Sequence, residues 1–196
     1  PFYRRAVALA REHGFWLASD EAYSEIWFDE PPPGALSCGL ENLLVFNTLS
    51  KRSAMTGYRS GFIAGDPEMI HLLRKVRPSQ GVATPTFVME AAIEAWGDEG
   101  HVADQRRIYR EKRDVLLPVL LRKGMELGGS EATFYLYFRV PGGGSSEAFA
   151  AELLEHGVGV VPANFFGAGG EGWIRLALVP TRAECEEAAG ILERIL

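Results

Sequence analysis

The sequence predicts an α/β fold in two parts. Short apolar strands alternate with amphipathic helices over the first hundred residues, as in a mostly parallel sheet with helices on its faces. Shorter strands and helices alternate after a long charged helix, which indicates a separate, smaller α+β unit. We expect a large, mostly parallel α/β domain over residues 1–105 and a small C-terminal α+β domain over residues 106–196.

The elements of the first part follow from hydrophobic periodicity. An apolar stripe predicts a helix at 2–13, and Gly14 separates it from a short buried strand at 15–19. Phe15, Trp16 and Phe46 are interpreted as core residues. Further strands are expected at 43–47 and 61–64, and helices at 67–77 and 84–97. Strands this short and apolar predict a sheet that is covered on both faces.

The second part is predicted from the same signals. The long charged helix is expected over residues 104–123 and should contain the domain boundary. The expected elements after it are a strand at 133–140, a helix at 146–156, strands at 158–162 and 172–179, and a helix at 181–195.

Composition narrows the class of partner. The formal charge of −6 argues against nucleic acid, whose binding relies on lysine and arginine. The sequence has no long apolar run and no signal-peptide pattern, so we expect no membrane segment and a cytoplasmic location. Two cysteines suit a reducing compartment, and four scattered histidines suggest no metal site. A small-molecule substrate is therefore expected.

The most informative segment follows the second predicted strand, where a loop rich in hydroxyl, basic and glycine residues is expected. Thr48, Ser50 and Arg59 could donate hydrogen bonds to a phosphate group. Lys51 would then stand beside an anion site, where a lysine can act as a nucleophile toward a carbonyl. Taken alone, a Ser-Lys pair is also compatible with a solvated lysine in a surface loop.

A second polar group follows the first predicted strand. Asp20 and Tyr23 lie at its C-terminal end, which is where open α/β sheets bind ligands. The carboxylate could pair with a protonated ring nitrogen, and the phenol could hydrogen-bond another polar atom of the same ring. An aspartate after a strand is also a common helix N-cap.

Together these segments resemble the class I/II aminotransferases of pyridoxal phosphate (PLP) fold type I. The resemblance implies that Lys51 binds the PLP aldehyde carbon covalently. It also implies that Asp20 pairs with the pyridine nitrogen and that Tyr23 contacts the phenolic oxygen. The phosphate would be held by Arg59 with Thr48 or Ser50. The matching segments are Ser19-Asp20-Glu21-Ala22-Tyr23, Ser50-Lys51 and Met55-Thr56-Gly57-Tyr58-Arg59-Ser60-Gly61.

The resemblance continues in the second part of the chain. Residues 171–177 are similar to the family segment whose arginine binds the substrate α-carboxylate, which assigns that role to Arg175. Without the family, an arginine inside an apolar strand also suits a structural ion pair. Residues 165–167 and 175–179 are most similar to the succinyldiaminopimelate and LL-diaminopimelate aminotransferases. The resemblance covers essentially all 196 residues and implies the second half of a family member of roughly twice this length. Because the first predicted helix starts at the beginning of the sequence, we also expect the chain to be cut.

This resemblance implies an enzyme that moves an amino group between an amino acid and a 2-oxo acid, as a homodimer in the full-length protein. Because the glycine-rich phosphate loop and the aromatic residue that stacks on the cofactor are missing, we expect the isolated chain to be inactive. A β-lyase or synthase of the same fold type would share every residue named above. A non-catalytic PLP-sensing module is the alternative outside enzymes.

Overall fold

Helices and short strands alternate through the first part of the structure, a computed structural model that describes residues 1–81 and 83–196. The chain divides into two compact units, Pro1–Gln105 and Arg106–Leu196, and the division falls within one long helix. In chain order, the elements up to this helix are α1 (Phe2–His13), β1 (Leu17–Asp20), β2 (Leu43–Thr48), α2 (Leu49–Arg52), β3 (Gly61–Gly65), α3 (Pro67–Val76), α4 (Thr86–Gly97) and α5 (Gly100–Arg122).

The sheet of the first unit has the order β1-β2-β3. Strands β1 and β2 are parallel, with Asp20 beside Phe46, whereas β3 runs antiparallel to β2, with Gly61 opposite Thr48. The portion of sheet in this chain is therefore mixed. This topology brings the carboxyl ends of β1 and β2 and the start of β3 to the same edge.

Burial in the first unit is concentrated on β2. Leu43 and Val45 pack with Val7 of α1 in a buried cluster. The prediction that Phe15 and Trp16 are core residues is wrong, because each side chain is 41% exposed. Both precede β1, which begins only at Leu17. The predicted cover on both faces of the sheet is not found along β3 as described, where Gly61 and Phe62 are exposed and the other three residues are half-buried.

The segment after β2 differs from the predicted loop. Residues Leu49–Arg52 form one helical turn, α2, which places Lys51 on a helix. Thr48 is its N-cap, and the Thr48 hydroxyl accepts a hydrogen bond from the Ser50 backbone N–H at 3.1 Å. Capping by a threonine side chain satisfies a backbone donor that a helix start leaves unpaired. A turn of four residues is too short to produce a hydrophobic period, so the sequence pattern did not reveal it.

The second unit is an α+β unit with an antiparallel sheet. The strand order is β4-β5-β7-β6, and every pair is antiparallel. Its core includes Leu136 and Phe138 from β5 and Ile174 from β7, all almost fully buried. After α5, the elements are β4 (Leu127–Gly129), β5 (Tyr135–Arg139), α6 (Ser146–Glu155), β6 (Val161–Pro162), β7 (Trp173–Ala177) and α7 (Arg182–Ile195).

The start of helix α5 and the presence of strand β4 differ from the sequence prediction for identifiable reasons. Helix α5 begins at Gly100 rather than at residue 104, because the Asp98 carboxylate accepts a hydrogen bond from the Gly100 backbone N–H at 2.7 Å. Strand β4 was not predicted, since Leu127-Gly128-Gly129 carries no apolar alternation.

Over the described ranges, none of the helices combines the length and apolar character needed to cross a membrane.

Candidate active site

Topology explains why residues distant in sequence meet in the first unit. Asp20 ends β1, Thr48 ends β2, and Arg59 lies two residues before the start of β3, so all three lie at one edge of the sheet. The close approach of the strands there depends on Gly61, where a Cβ atom would lie 2.4 Å from the Asn47 carbonyl oxygen. A cavity of about 370 Å³ opens at this edge. It is lined by Asp20, Ala22, Phe46, Asn47, Thr48, Ser50, Lys51, Thr56 and Arg59.

Asp20 and Tyr23 belong to the turn that follows β1. The Asp20 carboxylate is exposed and accepts a hydrogen bond from the Ala22 backbone N–H at 3.1 Å. No helix begins in residues 21–26, so Asp20 closes a turn and is not a helix N-cap. Tyr23 is half-buried, and the Lys51 ammonium nitrogen lies 5.6 Å from the centre of its ring.

Lys51 projects from α2 beside the cavity. It is half-buried, and its neighbours Ser50 and Arg52 are both buried. The alternative of a fully solvated lysine in a loop is therefore wrong. This arrangement gives one amino group in a pocket with a carboxylate, hydroxyls and a guanidinium group. Such a set can take a ligand that carries a carbonyl, a basic ring nitrogen and an anionic group.

The anionic end of such a ligand would meet hydroxyls and a guanidinium group. The Thr48 hydroxyl oxygen lies 2.9 Å from the Ser50 hydroxyl oxygen and 3.0 Å from the Ser60 carbonyl oxygen. Arg59 adopts a positive φ of 50°, unusual for a residue other than glycine and characteristic of functional sites. Its Nη1 donates to the Thr56 carbonyl at 3.2 Å, which uses one of five guanidinium N–H donors.

Arg175 belongs to the second unit, on β7. Its guanidinium carbon lies 4.2 Å from the ring centre of Tyr135 and 4.5 Å from that of Phe166, so two aromatic rings hold the group. The buried Nε atom has no hydrogen-bond partner among the described residues. Among the described residues, no carboxylate forms an ion pair with Arg175. The alternative that Arg175 forms a structural ion pair is therefore wrong. An unsatisfied buried donor suits a carboxylate ligand.

Sequence reasoning missed several residues at the first-unit site. Asn47 and Thr56 line the cavity, and the Asn47 side-chain oxygen accepts a hydrogen bond from the Thr48 backbone N–H at 2.7 Å. The position of Asn47 at the end of an apolar strand could have revealed it. Arg52 lies next to Lys51 and is buried, yet no local pattern marks it.

Solved structures of aminotransferases share this fold. An aminotransferase from Neisseria meningitidis superposes with a TM-score of 0.89 and 38% identity, covering 97% of this chain and 51% of that one. A probable N-succinyldiaminopimelate aminotransferase from Thermus thermophilus gives a TM-score of 0.90 and 32% identity, covering 100% of this chain and 54% of that one. The fold is therefore that of the PLP-dependent aminotransferases of fold type I.

The family follows from the sequence comparison. The model of the aminotransferases of class I and II matches residues 2–192, and the chain belongs to this family. The LL-diaminopimelate aminotransferase of Nitratidesulfovibrio vulgaris strain DP4 is 36% identical over 200 residues, which are 99% of this chain and 52% of that protein. That of Aquifex aeolicus is 37% identical, covering 97% of this chain and 51% of the relative. The chain thus spans about half the length of these relatives. PLP is the cofactor of this family.

Proposed function

We propose that this chain is the second half of a PLP-dependent aminotransferase that moves an amino group between an amino acid and a 2-oxo acid. The observation that carries the proposal is the cavity shared by Lys51, Asp20 and Arg59, in a chain of this family. The matched relatives named LL-diaminopimelate aminotransferase support a diaminopimelate-type amino acid as the substrate class and a role in amino-acid biosynthesis.

The cavity residues fit the cofactor by charge and by hydrogen-bonding capacity. Asp20 would accept a hydrogen bond from the pyridine nitrogen and keep that nitrogen protonated. Tyr23 is not among the residues that line the cavity, but its ring lies beside the Lys51 ammonium nitrogen, and its hydroxyl would donate to the phenolic oxygen. Arg59, with the hydroxyls of Thr48 and Ser50, would donate to the phosphate. When bound, PLP supplies an electron sink that stabilises negative charge at the substrate α-carbon.

Proton transfer falls to Lys51, whose side chain borders the same cavity. Its amino group would accept the proton from the substrate α-carbon and hold it at Nζ for the return step. Arg175 would bind the substrate α-carboxylate, because its planar guanidinium group can donate two parallel hydrogen bonds and is held by contacts with the Tyr135 and Phe166 rings. Fixing the carboxylate decides which bond to the α-carbon is broken.

The same proposal covers domain assignment, assembly and location. We assign residues 1–105 to the large cofactor-binding domain and residues 106–196 to the small domain, as supported by the two compact units. A homodimer is proposed because the first unit exposes many large apolar side chains, which favour association. The free thiols of Cys38 and Cys185 support a cytoplasmic location. The exposed apolar side chains of the first unit that support a homodimer include Phe62, Leu72, Val76, Phe87, Met89 and Ile93.

The test uses the complete protein, expressed from its full coding sequence. Purified protein is mixed with PLP and reduced with borohydride, and labelled lysines are located by mass spectrometry. Lys51 should carry the pyridoxyl group in preference to the exposed Lys75, which serves as the internal reference. If Lys51 is labelled no more than Lys75, the assignment of Lys51 as the PLP-binding lysine is wrong.

Activity is measured separately as 2-oxo acid formed from an amino donor. Turnover that disappears in Lys51→Ala supports the aminotransferase. Release of ammonia or a side-chain fragment in place of amino transfer would indicate a lyase. Cofactor binding with neither reaction would indicate a sensing module.

A further inference from the structure

Arg52, the residue that follows Lys51, is among the most deeply buried side chains of the described chain, with 2% of its surface exposed. Burying a guanidinium group is costly unless its donors are paired. The partners of Arg52 therefore show what it connects.

Every part of the Arg52 guanidinium group has a partner. Nε donates to the Glu25 carboxylate at 2.7 Å, and Nη1 donates to the Ala95 carbonyl oxygen at 2.7 Å. Nη2 forms an ion pair with the Glu99 carboxylate. The guanidinium carbon also lies 4.9 Å from the ring centre of Trp96. The group is therefore fixed in position and orientation.

These partners come from two segments, one before α2 in the sequence and one after it. Glu25 lies in the turn after β1, two residues beyond Tyr23. Ala95 and Trp96 belong to the last turn of α4, and Glu99 follows that helix. Arg52 thus ties the lysine-bearing turn both to the segment that carries Asp20 and Tyr23 and to the end of α4.

A second contact anchors α2 to the same region. The Ser53 hydroxyl lies 2.8 Å from Nε2 of His101, and the His101 Nδ1 lies 2.9 Å from the Asp98 carboxylate. Helix α2 has only four residues, and isolated helical segments this short do not hold their shape. Its orientation must therefore come from tertiary contacts, which at its C-terminal end are those of Arg52 and Ser53.

We propose that Arg52 is a positioning residue, which holds α2 so that the Lys51 amino group stays within the cofactor cavity and opposite Asp20. This inference rests on the proposed function, because it assumes that Lys51 reacts with PLP. Arg52 itself does not line the cavity, so its effect on the reaction passes through the placement of Lys51.

The test compares Arg52→Lys and Glu25→Gln with the parent in the complete protein after removal of the cofactor. The lysine variant keeps the positive charge but loses the planar fork that contacts three partners. Two quantities are measured on each folded variant. One is borohydride-trapped labelling of Lys51 relative to Lys75, and the other is the affinity for pyridoxine 5′-phosphate, which has no aldehyde. Arg122→Lys is the matched control, because its side chain is 58% exposed and pairs with Glu193 on the surface.

Arg52→Lys should lower the Lys51 preference by about tenfold or more, since a displacement of about 1 Å at a reacting group costs up to about a hundredfold. The affinity for pyridoxine 5′-phosphate should fall much less than the Lys51 preference, because Asp20, Thr48 and Arg59 lie outside α2 and only Ser50 moves with it. Glu25→Gln should act in the same direction, and Arg122→Lys should change neither quantity.

An unchanged Lys51 preference in both folded variants would overturn the proposal. So would an equal fall in the affinity for pyridoxine 5′-phosphate, because it would show a general loss of structure. A parent protein with no Lys51 preference would instead overturn the proposed function, so the two failures are distinguishable.

Discussion

Replacing Thr48 with valine tests the lysine-bearing turn by removing one hydroxyl while the branched shape is kept. The Thr48 oxygen caps α2 by accepting from the Ser50 N–H at 3.1 Å, and it lies 3.0 Å from the Ser60 carbonyl oxygen. A lost helix cap costs about 0.5–2 kcal/mol. A lost hydrogen bond costs about 0.5–1.5 kcal/mol. Their sum predicts a loss of about 1–3.5 kcal/mol in the free energy of unfolding.

Thr48→Ser is the matched control, because it keeps the hydroxyl and loses one methyl group. Its expected cost is about 0.8 kcal/mol or less. Urea unfolding gives the free energy of unfolding of both variants. The two values can be compared only if the free energy falls with urea concentration at the same slope in both. The reasoning fails if Thr48→Val is no less stable than Thr48→Ser.

The same pair of variants tests the proposed phosphate contact in the complete protein. Loss of one hydrogen bond to a charged group costs about 1.5–3 kcal/mol, which corresponds to about a 10- to 150-fold weaker affinity for PLP. Titration of the cofactor-free protein measures this directly. If Thr48→Val binds PLP with the affinity of the parent, Thr48 does not contact the phosphate.

Three further predictions concern the whole chain and its local stability. The isolated 196-residue chain should form no more 2-oxo acid than its Lys51→Ala variant, and clear Lys51-dependent turnover would contradict this. Gly65→Ala should destabilise the first unit by at least about 2 kcal/mol in urea unfolding. A Cβ there would meet the Leu43 carbonyl oxygen at 2.0 Å, whereas Gly57→Ala, with open space, is the control. Burial opposes ionisation of Asp66, but hydrogen bonds from the backbone N–H groups of Asn42, Met69 and Glu68 outweigh it and lower the pKa below its ordinary value of 3.8. Asp66→Asn should therefore be less stable than the parent at neutral pH, with the difference vanishing as pH falls through the folded-state pKa; a difference independent of pH would contradict this.

Local sequence patterns determined most of the elements of this protein. Apolar periodicity predicted α1, α3 and the strands other than β4, because the buried face of an element repeats within a few residues. The segments around Asp20, Lys51 and Arg59, with their spacing, were also sufficient to indicate the family. Both signals are carried by residues close together in the chain or at fixed intervals, so no folded structure is needed to detect them.

Tertiary structure alone decided the remaining features. The antiparallel direction of β3 brings Arg59 to the edge where Asp20 and Thr48 end. The partners of Arg52 lie 27, 43 and 47 residues away in sequence, and no local pattern encodes contacts over such separations. Burial of Arg52 and exposure of Trp16 both depend on which segments pack together, and packing between distant segments is fixed only when the chain has folded.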